Sequence, residues 1–248
     1  MSTLRGWGWL LAVLVFVFGT APDLSRNTAR SGAAASTTAA PKLEHTTPAA
    51  PTPSTPASPG AFRSRVDPLT ADDLGRSYHQ GCPVDPDGLR TLTVSYLGFD
   101  GRTHAGRLVV AAEWAAQLAG VFATLYAERF PIRTMQPVTA YGASDDASMA
   151  ADNSSAFNCR AVTGGSAFSE HSYGTAIDLN PIENPYLSGE LVEPDAGAEY
   201  LDRSDVRPGM ITADGPVVAA FAAIGWGWGG KDFPNNPTTS NGNSVNNN

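Results

Sequence analysis

The 248-residue sequence holds only two cysteines and four histidines, and no histidine follows His171. It also lacks an apolar run long enough to span a bilayer. The longest, from about Trp7 to Phe18, falls short of the ~20 residues a transmembrane helix needs. Positive charge is scarce: between Arg63 and Asp232 there are 12 Lys and Arg against 22 Asp and Glu, a net of −10. That balance excludes nucleic acid as a partner, since binding it relies on cationic contacts with phosphates. The plain reading of the acidity is solubility. The two cysteines, Cys82 and Cys159, both lie in the folded region. In an exported chain an even pair forms a disulfide, and a metal-binding pair is the weaker reading. Closing so long a loop contributes about 4 kcal/mol in the chain-entropy account.

What is present divides the chain into four parts. Arg5, the apolar run and then Gly19, Thr20 and Ala21 have the order of a secretory signal, taken as residues 1–21. An uncleaved N-terminal anchor is the alternative and the one route to a membrane. No cysteine lies near the exit, so a lipoprotein anchor is not supported. Residues 22–60, as in AAPTPSTPASPG, are mostly Ala, Thr, Ser and Pro. Such a segment has too few large apolar residues to offset the entropy of ordering, and it reads as a mobile spacer. Residues 61–235 regain Trp, Tyr, Phe, Leu and Val over a length that suits one ordinary domain. Residues 236–248 form an Asn-rich tail of low complexity, expected to be disordered.

Within the domain, LRTLTVSYLGFDGRTHAGRLVV predicts a β-hairpin. Leu92, Val94 and Tyr96 alternate with polar residues, and Asp100-Gly101 favours a tight turn. EWAAQLAGVFATLYAERF places Trp114, Leu118, Val121, Phe122 and Leu125 at helical spacing, and Pro131 follows its end. Ser144 to Ser169 is rich in Ser, Asp, Asn and Gly and is expected as a long surface loop. TAIDLN predicts a short strand stopped by Pro181. A short helix is expected from about Pro216 to Ile224, with Gly225 after it, and GWGWGG leads into a last strand. Helices and antiparallel strands without a βαβ repeat give an α+β class: a small antiparallel sheet with flanking helices.

The stretch SEHSYGTAIDLN holds a histidine and an aspartate seven residues apart, His171 and Asp178. In one helix they would stand about 10 Å apart along the axis. In one straight strand they would be more than ~20 Å apart and on opposite faces. Two ligands of one zinc sit roughly 3 Å apart. The pair can chelate only if the chain turns between them. Gly174 permits such a turn, and the β-branched Thr175 and Ile177 favour a strand after it. On spacing alone, a hydrogen-bonded His–Asp pair without metal is the competing reading.

The pattern S-x-H-x-x-G-x-A-x-D-x-N resembles the zinc motif of the VanY-like D-alanyl-D-alanine carboxypeptidases and L-alanyl-D-glutamate endopeptidases of bacterial cell walls. GRSYHQGCPV, YGASDDASMAADNSSAFNCR, YLDRSDVRPGMI and FAAIGWGWGG extend the resemblance to the exported actinobacterial branch, over nearly all of Arg76 to Asp232. It implies a fold similar to the Hedgehog signalling domain and a Zn2+ cofactor held by His171 and Asp178. It further implies Asp232 as general base, Arg160 as the arginine that meets substrate or the developing oxyanion, and Ser169 as the motif serine that orients the site. The implied partner is a peptidoglycan stem peptide, the protein a monomer, and its location secreted or at the cell wall.

One departure stands out. The family spaces its base and third ligand as D/E-x-x-H, but here Asp232-Phe233-Pro234-Asn235 puts Asn235 at the third-ligand position. An amide oxygen is a poor zinc ligand beside imidazole or carboxylate. Three readings follow: a degenerate enzyme, an ending replaced by frameshift or truncation, or a site completed by another residue. His104 and His79 are the remaining candidates in the folded region, and His104 reads as structural. The alternative to a peptidase is a non-catalytic module that binds wall peptides. Trp226 and Trp228 read as core or cleft wall rather than a carbohydrate platform, and Asp145, Asp146 and Asp152 as a solvated acidic loop.

Overall fold

The computed structural model describes residues 60–162, 165–188, 191–232 and 244–245. Its first elements are β1 (Ser64–Pro68), the single-turn α1 (Ala71–Leu74), β2 (Leu89–Leu97), β3 (Thr103–Ala111) and α2 (Ala115–Ala127). β4 (Thr134–Met135), α3 (Asp145–Ala150), β5 (Asn153–Ser154) and β6 (Ala176–Ile177) follow. After them come β7 (Tyr186–Ser188), β8 (Leu191–Glu193), α4 (Pro216–Ala222), β9 (Gly227–Trp228), α5 (Gly229–Asp232) and β10 (Ser244–Val245). The class is α+β, as the sequence predicts.

The hairpin forms with Leu89 opposite Ala111 and Leu97 opposite Thr103, so Leu92 faces Leu108 across the pair. Sequence patterning misses β1, which adds antiparallel to the free side of β2 with Ser64 opposite Val94. Its burial pattern is exposed almost throughout, so it carries no apolar alternation to read. α2 lays Leu118, Val121, Phe122 and Leu125 on the sheet, joined by Leu92, Val94, Leu108 and Val110 in one core. α4 contributes Val217 and Phe221 to the same core, and Trp226 meets Trp114 edge to face at 5.7 Å. Trp226 is therefore a packing residue, 3% exposed.

Three expectations need correcting. Ser144 to Ser169 is not a plain surface loop: α3 forms under the Ser144 cap, whose Oγ accepts the Ala147 N–H, and β5 pairs in parallel with β4. Asn153, Ser154 and Ser155 are buried there, so a polar composition coexists with an interior position. Their hydrogen-bonding groups are met locally: Asn153 caps Gln136 through both its side-chain oxygen and nitrogen. The second correction is to Asp152, which is 5% exposed and pairs with Arg133 at 3.3 Å rather than standing in solvent. The third is to the strand expected to follow GWGWGG: a strand forms within that stretch instead, at Gly227–Trp228, and the chain then makes the helical turn α5. Farther on, Ser244–Val245 lies parallel between β6 and β9.

Candidate metal centre

Three short segments build the centre, two of them hydrogen-bonded to the end of β3. Phe157 N–H donates to Val109 O at 3.0 Å, and Ala111 N–H donates to Gly174 O at 2.9 Å. Ser155 and Asp178 exchange backbone hydrogen bonds of 3.0 and 2.8 Å, and Asn158 N–H donates to His171 O at 3.2 Å. The turn anticipated between His171 and Asp178 is a short 3-10 helix, Glu170–Tyr173, which closes at Gly174 with φ 70°. A Cβ at Gly174 would come within 2.7 Å of the Ala111 backbone nitrogen. Only glycine suits a left-handed residue pressed this closely on another backbone.

The turn brings His171 Nε2 to 3.2 Å from Asp178 Oδ2, with both residues at most 2% exposed. The other ring nitrogen fixes the chemistry of this contact. His171 Nδ1 lies 2.6 Å from the carbonyl oxygen of Ala156. A carbonyl only accepts, so Nδ1 carries the proton and in the neutral ring Nε2 presents a lone pair. A lone pair and a carboxylate oxygen thus face each other, and buried Nε2 has no hydrogen-bond donor. Such an arrangement calls for a positive charge: a proton on Nε2, or a cation between the two atoms. Two ligands at about 2.05 Å on a tetrahedral zinc are about 3.3 Å apart, close to the observed separation. An imidazole whose far N–H is held by a backbone carbonyl is also the usual support of a metal-bound histidine. The pair fits two ligand positions of a zinc ion.

Ser169 Oγ accepts the His171 N–H at 3.3 Å and so caps the turn that aims the imidazole. Arg160 places a guanidinium nitrogen 2.6 Å from Asp145 Oδ2, on the first turn of α3. Asp232 ends α5, and its side chain lies outside the described residues, as does Asn235 altogether. His104 does not join the centre; it pairs with Asp100 at 2.9 Å and stacks on Tyr96. His79 lies against the Cys82–Cys159 disulfide, which forms as expected across 77 residues of sequence. Among the described residues, no third His, Cys, Asp or Glu gathers with His171 and Asp178.

Two buried residues that the motif alone does not explain hold the centre together. Ser172 Oγ accepts the Arg160 N–H at 2.9 Å and donates to Arg160 O at 2.8 Å, tying the His171 turn to the Arg160 segment. Asn180, with φ 46°, donates to Pro131 O and Gly209 O and accepts the Arg133 N–H. It thereby fixes the exit of the Asp178 segment. Asn180 is the last letter of the motif and was signalled by it, whereas Ser172 falls at an open position; once buried, both polar side chains must be hydrogen-bonded.

Among the described residues no helix is long and apolar enough to cross a membrane. No curated protein and no solved structure matches the chain. Residues 163–237, which contain His171, Asp178, Asp232 and Asn235, match the D-alanyl-D-alanine carboxypeptidase family and so bear out the resemblance that SEHSYGTAIDLN carries.

Proposed function

We propose that this protein is an exported zinc peptidase of the D-alanyl-D-alanine carboxypeptidase kind, hydrolysing a peptide bond next to a D-amino acid in peptidoglycan stem peptides. The observation that carries the reading is the buried pair of acceptors, His171 Nε2 and Asp178 Oδ2, facing each other at 3.2 Å. The family match over residues 163–237 supports the reaction class, and the disulfide suits an oxidising compartment outside the cytoplasm. His171 and Asp178 would hold the metal, which when bound supplies Lewis acidity toward a carbonyl and makes water acidic enough to attack near neutral pH.

The chain's own residues do the rest. Ala156 O keeps the His171 proton on Nδ1, so Nε2 remains a donor of electrons. Asp232 is the base that accepts a proton from the attacking water and returns it to the leaving amine. Arg160 is the cation for the substrate carboxylate or the developing oxyanion, and Asp145 holds it in place until then. The test is release of D-alanine from a peptide ending in D-alanyl-D-alanine. Asp232→Asn should lower kcat by at least about 100-fold, the usual weight of a general base, with folding unchanged by circular dichroism. Unchanged kcat would remove Asp232 from the reaction.

A second reading is favoured by one residue. Asn235 occupies the third-ligand position, and a neutral amide there weakens the site. On that reading the chain binds wall peptides without cleaving them. Asn235→His separates the two: a peptidase with an impaired site gains zinc affinity and hydrolysis, whereas a pure binding module gains no hydrolysis.

A further inference from the structure

Cys82, Cys159 and His79 form a second cluster of ligand atoms, away from any role in the proposed peptidase reaction. The three atoms His79 Nε2, Cys82 Sγ and Cys159 Sγ all lie within 4.8 Å of one another. His79 Nδ1 is 3.0 Å from Gln80 O, and since a carbonyl accepts only, the ring proton sits on Nδ1. In the neutral ring Nε2 therefore points a lone pair at Cys159 Sγ, 3.6 Å away. A disulfide sulfur carries no proton to give it. The backbone supports the same corner: His79 N–H reaches Cys82 Sγ at 3.2 Å, and Cys82 N–H donates to His79 O at 3.2 Å to close the His-x-x-Cys turn. On the other side Cys159 N–H donates to Ser77 O at 3.0 Å. His79 is exposed and Cys82 half-buried, so the corner opens to solvent.

We infer that this corner is a redox-gated metal site: oxidised it is a staple, and reduced it binds a thiophilic divalent cation, zinc or cobalt, through His79, Cys82 and Cys159. The geometry needs little change. A nitrogen at about 2.05 Å and a sulfur at about 2.3 Å on one tetrahedral zinc stand about 3.6 Å apart, and His79 Nε2 is already 3.6 Å from Cys159 Sγ. Breaking the S–S bond frees the two sulfurs to part to the ~3.8 Å that two thiolates on one zinc require. The ring is oriented by a carbonyl on its far nitrogen, as in metal-bound histidines, and the N–H at Cys82 Sγ is placed to stabilise a thiolate. The fourth position faces solvent and takes water. The chemistry balances with a dithiol reductant: its two S–H bonds become its own disulfide while Cys82 and Cys159 become thiols, and the incoming cation then displaces both thiol protons.

The test uses the full chain and Co2+ as probe, because thiolate ligation to cobalt gives a near-ultraviolet charge-transfer absorption that nitrogen and oxygen ligands do not. The His171–Asp178 centre contains no sulfur and is silent in this readout, so the inference stands or falls apart from the peptidase reading. A phosphine replaces the dithiol for reduction, since it breaks the S–S bond by taking an oxygen atom from water and competes weakly for metal. The expected result is no charge-transfer band in the oxidised chain, a band whose intensity corresponds to one thiolate-bound Co2+ per reduced chain, and its loss on reoxidation. Cys159→Ser should abolish the band. His79→Ala, which keeps both cysteines, should weaken Co2+ binding by at least about tenfold, the loss that even an outer partner of a metal ligand brings. A reduced chain with two titratable thiols and no band overturns the inference, as does unchanged affinity in His79→Ala. So does a chain that unfolds on reduction, by near-ultraviolet circular dichroism, and does not refold when zinc is added.

Discussion

Glu183 shows how a single buried carboxyl beside the centre sets a pH dependence. It is 1% exposed and lies 3.3 Å from the Arg133 guanidinium, which also faces Asp152 and stacks on Phe99. One cation serves two carboxylates, so burial first, and the neighbouring Asp152 second, push the Glu183 carboxyl up to about 7. The folded protein therefore holds a proton between the ordinary value of 4.5 and about 7 that the unfolded chain has released. Stability from this group is full below the lower value and is lost as pH rises through the upper one. At about 1.4 kcal/mol for each tenfold change in proton affinity, the loss is at most about 3 kcal/mol. Denaturant unfolding at about pH 5 and about pH 8 should show this decline, and Glu183→Gln should flatten it; a decline of equal size in the variant would assign it to other groups. Ser172 is a buried hydroxyl whose effect is on stability alone. Ser172→Ala leaves the half-buried Arg160 N–H without its 2.9 Å acceptor and should cost about 1 kcal/mol. Unchanged unfolding midpoints would show that Ser172 does not tie the two segments.

Among the elements, the turn at Gly174 decides whether the centre exists. Gly174→Ala puts a Cβ 2.7 Å from Ala111 N at φ 70°, and since neither backbone can yield freely, it should destabilise by at least about 2 kcal/mol. The check is thermal or denaturant unfolding; a variant as stable as the parent would contradict the close packing of the turn on β3. How legible each element is in the sequence follows from how local its cause is. The hairpin and α2 announce themselves because Leu92, Val94 and Tyr96, or Leu118, Phe122 and Leu125, repeat at the period of the element they form. His171, Gly174 and Asp178 were legible through their spacing and the motif around them. β1 was not, since its residues are exposed and its pairing partner is a strand some thirty residues on. Nor were α3 and β5, since the Asp, Ser and Asn of that stretch read as loop until tertiary hydrogen bonds bury part of it. The His79-x-x-Cys82 spacing was on view, but its meaning depends on Cys159 arriving from 77 residues away.

For the whole molecule, the disulfide joins the segment before β2 to the segment that carries Ala156 O and Arg160. Removing it with Cys82→Ser and Cys159→Ser should lower stability by about 4 kcal/mol, mainly by freeing the unfolded chain, and scanning calorimetry would report the lower midpoint. A midpoint equal to the parent's would mean that the unfolded chain is already constrained in that region. The central claim, however, concerns the core pair that this scaffold aims together. Zinc affinity of the oxidised full chain should therefore be measured beside His171→Ala and Asn235→His by competition with a chromophoric chelator. The account predicts that His171→Ala binds zinc at least about 100-fold more weakly than the parent and that Asn235→His binds it more tightly. Equal zinc affinity in all three proteins would contradict it.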